Sequence, residues 1–188
     1  MIDLLISYLG NSSAITILVL ALLSVYLVIT FWIFIYRYLS VSSSVDNERR
    51  ALESLVLRDT LSISPLSSLS KCTKNTMPTK EILSACEISI LRESSIGVSW
   101  LSIISSTSPF VGLFGTVVGI LESFAKFSSH SKVGFSVIAP AISEALVATA
   151  AGIFVAIFAY TFHQMLVRKL YELDTFLKAQ SKILVSRG

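Results

Sequence analysis

Charge is scarce in this sequence. Only 14% of its 188 residues are Asp, Glu, Lys or Arg, while 53% are hydrophobic, and residues 14–36 and 99–121 hold no charged side chain at all. With a mean hydropathy of +0.76, such a composition excludes an ordinary water-soluble domain. The net charge of +3 is spread over several segments instead of one stripe, which argues against nucleic acid as a partner. There are two cysteines, Cys72 and Cys86, without CxxC spacing and without a neighbouring histidine, so they read as ordinary reduced thiols. The two histidines, His130 and His163, lack a second ligand at metal spacing. No Ser/His/Asp or Cys/His set is in place for nucleophilic catalysis, so the chain is not expected to be an enzyme or to hold a metal or cofactor. The glycine-rich run Gly112 to Gly119 lacks the Lys-Ser/Thr of a phosphate loop and lies in an apolar stretch. No internal repeat is visible, which weighs against a self-contained transporter.

What is present is three long apolar segments. The first, 14–36, is rich in Leu, Ile, Val and aromatics and long enough to cross about 30 Å of hydrocarbon as a helix. Residues 1–13 carry no Lys or Arg, and the run is too long for a signal-peptide core, so it is expected to stay as an anchor. The second span, 99–121, is crowded with Ser, Thr and Gly and suits protein neighbours better than lipid. The third, 133–162, continues into an amphipathic tail. Lys and Arg number none in 1–13, eight in 37–98, two in 122–132 and five in 163–188. The positive-inside rule then puts 37–98 and 163–188 in the cytoplasm, with 1–13 and the short loop 122–132 on the outer side. The expected architecture is an all-α membrane protein with three transmembrane helices, long cytoplasmic helical extensions, an outer N-terminus and a cytoplasmic C-terminus. The Ser-rich middle of 37–98 reads as a linker. A helix capped by Thr76 is expected to begin near Pro78 and to run without interruption into the second span.

Glu144 is the most informative residue, because a carboxyl inside an apolar span costs about 2.5–3.5 kcal/mol to insert. It has to face a partner, water or a proton. The competing interpretation is a fixed hydrogen-bonding group in a non-conducting structural scaffold. Around it Ala141, Ala145, Ala148, Gly152 and Ala156 recur at steps of three and four and form a seam for close helix packing. On the second span Ser108, Gly112, Gly115, Thr116 and Gly119 make a similar face. Thr149 stands about 140° around the helix from Glu144. Its hydroxyl can line a water path or bond back to its own helix, and the residues alone leave both open. Pro109 is expected to kink the second helix and free a carbonyl near Ser105 and Ser106.

The segments TSPFVGLFGTVVGILESF (107–124) and APAISEALVATAAGIFVAI (139–157) resemble the signature helices of the TolQ/ExbB family, a relative of the flagellar MotA stators. The resemblance implies an inner-membrane, multi-pass proton-channel subunit of a motor driven by the proton-motive force. It implies a homopentamer around a dimer of a TolR/ExbD-type single-span protein, with output to TolA (envelope integrity, division) or TonB (receptor-dependent uptake). Protons would be the coupling ion. It also carries over Thr116, Glu144 and Thr149 as polar residues lining the pore, with a partner aspartate as main proton carrier. Two positions depart from the pattern: Val118 stands where many members have Trp, and Phe158 where many have Pro, which predicts a straighter third helix. The short N-terminus and Ser108 lean towards TolQ, Ser106-Thr107 towards ExbB; TolQ is preferred.

Overall fold

The computed structural model describes residues 14–58, 65, 67–70, 79–128 and 135–187. Expectations for Cys72, Thr76, His130, the N-terminal 1–13 and most of the Ser-rich linker lie outside those residues. Four long helices carry the described chain: α1 (Ala14–Arg58), α2 (Lys80–Ser95), α3 (Val98–Ser128) and α4 (Phe135–Arg187). No strand occurs among the described residues. α1 has neither Pro nor Gly along its length, so nothing in it breaks the backbone ladder. Among the described residues, three stretches are long and apolar enough to cross a membrane: Ile15–Leu57, Val98–Ala125 and Ile142–Ser186. The chain is therefore an all-helical membrane protein, and its first and third spanning helices extend well beyond a bilayer's thickness.

One expectation fails. The helix does not run unbroken from the Pro78 region into the second span: α2 stops at Ser95, Ile96 donates its N–H to the Glu93 carbonyl at 3.4 Å, and Gly97 takes φ +87°. The absence of proline was an insufficient guide, because a single glycine in the left-handed region ends a helix as effectively. A Cβ there would stand 3.3 Å from Arg37 Nε besides. Gly97→Ala is accordingly expected to destabilise the detergent-solubilised protein by about 1–2 kcal/mol; an unchanged unfolding midpoint would show that the turn carries no strain. α2 itself begins at Lys80, with Thr79 before it and Leu83 N–H bonded to the Thr79 carbonyl at 3.0 Å.

The described chain forms two compact units. In the first, α1 to Trp32, α3 from Trp100 and α4 to Thr161 pack around Val19, Leu23, Ile104, Ala148, Val155 and Ala159. Leu18, Val25, Val28 and Trp32 of α1, Phe110, Leu113 and Phe114 of α3, and Phe154 and Ile157 of α4 all point outward. Rows of exposed apolar side chains on this scale are unfavourable in water and ordinary in lipid or against other subunits. α4 is continuous through Phe158, whose ring packs against Phe31 at 5.7 Å and Phe154 at 4.9 Å between centroids.

The second unit is built from the rest of α1, α2 and the end of α4. Val41, Val45 and Leu55 of α1, Leu83 and Cys86 of α2, and Leu173, Leu177 and Leu184 of α4 form its core, closed by Leu69. On α4 the buried positions 166, 173, 177, 180 and 184 keep to steps of three, four and seven, the spacing of a coiled-coil seam. One of these positions, Gln180, is polar, and it meets a polar residue of α1, Glu48. Glu48 and Gln180 are both fully buried: Gln180 Nε2 donates to the Glu48 backbone carbonyl at 3.0 Å and to Oε2 at 2.8 Å. Ser67 Oγ donates to Glu48 Oε2 at 2.8 Å and Ser68 N–H to Oε1 at 2.6 Å. The carboxylate thus fastens 67–70 to α1 and α4.

Candidate functional site

The candidate site lies in the first unit, where α3 and α4 cross with their backbones almost touching. A Cβ on Gly112 would come within 2.7 Å of the Ala148 carbonyl oxygen and 3.0 Å of Thr149 Cα, and one on Gly152 within 2.5 Å of the Ser108 carbonyl oxygen and 3.0 Å of Gly112 Cα. Such separations leave room for hydrogen only. Gly115 faces Val19 and Ala148, and Gly119 faces Ala145 and Thr16, so α1 closes over the same seam. Ala145 and Ala148 are buried and Ala156 is half-buried, while the side chain of Ala141 is outside those described. Small residues thus serve here to bring peptide dipoles and hydroxyls together in a layer that lipid does not enter.

Thr116 is placed by that approach. Its Oγ1 is buried against the Ala145 carbonyl at 3.0 Å, with the carbonyl of Gly112, its own i−4 residue, at 3.3 Å. It is also hydrogen-bonded to Thr149 Oγ1. A hydroxyl has one proton to give. If Thr116 donates to the nearer carbonyl, that of Ala145, Thr149 must be the donor between the two threonines. The pair spans the helix crossing, so this bond of the Thr149 hydroxyl is interhelical, a role apart from the water path and the back-bond to its own helix that the residues alone left open.

Glu144 is half-buried on α4, one residue before the carbonyl that Thr116 grips. About 140° of helical rotation separates it from Thr149, so the two stand on opposite flanks of the buried Ala145-Ala148-Gly152 seam. Within one chain, then, the structure joins Thr116 to Thr149 and sets Glu144 on the far flank. Pro109 lies inside α3, and the hydroxyls before it are engaged with carbonyls of the preceding turn: Ser105 with Ser102, Ser106 with Ser102 and Ile103, Thr107 with Ile103, and Ser108 with Ile104 at 2.5 Å. The bonds of Ser105 and Ser106 stop short of the Ser105 carbonyl, the one that loses its helical donor at Pro109. This succession of back-bonds escaped the sequence reading, although the run Ser102 to Ser108 contains its signal.

A family model described as the MotA/TolQ/ExbB proton channel family matches residues 48–178. Proteins of two Helicobacter pylori strains, named as ExbB-like biopolymer transport proteins, are each 39% identical over 190 residues, covering the whole of both chains. The biopolymer transport protein ExbB of Pseudomonas putida is 42% identical over 99 residues, 51% of this chain and 30% of that one. The Tol-Pal system protein TolQ of Pseudomonas aeruginosa is 43% identical over 76 residues, 39% of this chain and 33% of its own.

Proposed function

The chain belongs to the MotA/TolQ/ExbB proton channel family, and from that premise we propose that it is the channel-forming subunit of a proton-driven motor in the inner membrane. In this reading the N-terminus is outside, several copies, five by family analogy, ring a TolR/ExbD-type dimer, and Thr116, Glu144 and Thr149 border the proton's route. The observation that carries the reading is a half-buried carboxyl, Glu144, in an otherwise uncharged stretch of a spanning helix, beside a seam whose hydroxyls are joined across two helices. A carboxyl that could not exchange protons or meet a partner would be an expensive ornament there. End-to-end likeness to proteins named ExbB-like favours output to a TonB-type protein over a TolA-type one, against the lean to TolQ that the short N-terminus and Ser108 give.

Glu144→Gln separates this reading from a non-conducting scaffold. The amide keeps the size and much of the hydrogen bonding of the acid but binds no proton at physiological pH. The motor reading expects the variant to assemble normally while receptor-dependent uptake, the output favoured above, falls to the level of a deletion strain. Full activity of Glu144→Gln would favour the scaffold and remove Glu144 from the proton path.

A further inference from the structure

The second unit contains a polar cleft of about 430 Å³ between α1 and α2 that the proton pathway does not use. Arg37, Ser40 and Ser44 line it from α1, and Ser89, Glu93 and Ser94 from α2. Arg37 and Glu93 form no ion pair among the described residues; the recorded partner of the guanidinium is the face of Tyr36, 5.7 Å away. Ser44 spends its proton on the Ser40 carbonyl, whereas the hydroxyls of Ser40, Ser89 and Ser94 have no partner among the described residues. An unpaired cation and an unpaired anion in one hydroxyl-rich cleft are complementary to a molecule that is itself a zwitterion.

The position of the cleft indicates its source. Tyr36 and Arg37 end the uncharged run 14–36, and aromatic and basic residues at the end of a span lie at headgroup level. We propose that this cleft binds the headgroup of a phospholipid bearing a primary ammonium, that is, a phosphoethanolamine group. Arg37 offers a planar fork of donors to the phosphate, helped by serine hydroxyls. Glu93 accepts from the ammonium, whose three N–H groups can also reach Ser89 or Ser94. A choline headgroup offers no N–H, and its usual recognition by several aromatic faces is not provided by Tyr36 alone, which already lies beneath Arg37. A glycerol headgroup brings the same phosphate but no cation, so Glu93 would keep an uncompensated charge beside neutral hydroxyls.

The test uses the full chain, purified in detergent and stripped of lipid, titrated with short-chain phosphatidylethanolamine, phosphatidylglycerol, phosphatidylcholine and soluble phosphoethanolamine, with binding read by native mass spectrometry. Phosphatidylethanolamine is expected to bind at least about tenfold more tightly than each of the others, a difference of about 1.4 kcal/mol. Glu93→Gln, at an exposed position, should erase the preference over phosphatidylglycerol while leaving the fold intact. Arg37→Gln should weaken both lipids. Equal affinity for all three lipids, or a preference that survives Glu93→Gln, would overturn the assignment. Soluble phosphoethanolamine binding as tightly as the lipid would overturn the membrane as the source.

Discussion

Gly152→Ala is expected to lower the stability of the detergent-solubilised protein by about 3 kcal/mol, although it adds a single methyl group. The reason is what the methyl would strike. Its nearest neighbour, at 2.5 Å, is the Ser108 carbonyl oxygen, followed by Gly112 Cα at 3.0 Å. Both are backbone atoms of a helix that cannot rotate aside. α3 and α4 would have to separate, and the Thr116 bonds to Ala145 and Thr149 would lengthen with them. The four seam glycines supply their own controls. At Gly119 the added Cβ would meet Ala145 Cβ at 3.3 Å and Thr16 Oγ1 at 3.5 Å. That contact can be absorbed by small shifts, and the helix propensity of alanine, better than glycine's by up to about 1 kcal/mol, offsets it. Gly115→Ala meets Val19 Cγ1 at 2.9 Å, a side-chain atom that can move. Unfolding midpoints should fall most for Gly152 and Gly112, less for Gly115 and little for Gly119. A Gly152 variant as stable as its Gly119 counterpart would mean that the close crossing does not exist.

Glu48→Ala should cost about 3–5 kcal/mol, far more than removing any exposed carboxylate of the chain. The substitution takes the acceptor from Ser68 N–H and from one Gln180 N–H and leaves the Ser67 hydroxyl with Gln180 Oε1 alone, beside the leucine core of the second unit. Glu48→Gln should be intermediate, because whichever way the amide is turned its NH2 faces a donor, Ser68 N–H or Gln180 Nε2. The comparison is Glu53→Ala, whose partner Arg49 and own side chain are 66% and 58% exposed, and which should change stability by less than about 1 kcal/mol. Denaturant titrations of the three variants decide the matter; equal midpoints for Glu48→Ala and Glu53→Ala would refute the buried network.

These two sites differ in how far the sequence disclosed them. The glycine seam was legible because small residues at steps of three and four inside an uncharged run have few other uses, and Gly112, Gly115, Gly119 and Gly152 are all placed where a Cβ would meet a neighbouring helix. The three spanning helices were legible for an equally simple reason, their length without charge. Glu48 was hidden. In a segment of mixed charge a glutamate reads as solvated, and only its place after Val41 and Val45 in the seam, matched by Gln180 after Leu173 and Leu177, hinted at burial. The break at Gly97 was missed because proline was weighed as the helix breaker. The Thr116 to Thr149 bond could not be read at all, since the registry of two helices is set by their packing and is not written in either one.

That bond gives the crossing a direction. In the arrangement where Thr116 donates to Ala145 and Thr149 to Thr116, the pair offers its surroundings only the lone pairs of Thr149, so towards a neighbouring water it can accept but not donate. Rotation of both hydroxyls, Thr116 towards Thr149 and Thr149 outward, reverses the polarity and presents a proton instead. The two threonines therefore form a small switchable dipole, and each reversal requires Thr116 to surrender its bond to the residue that follows Glu144.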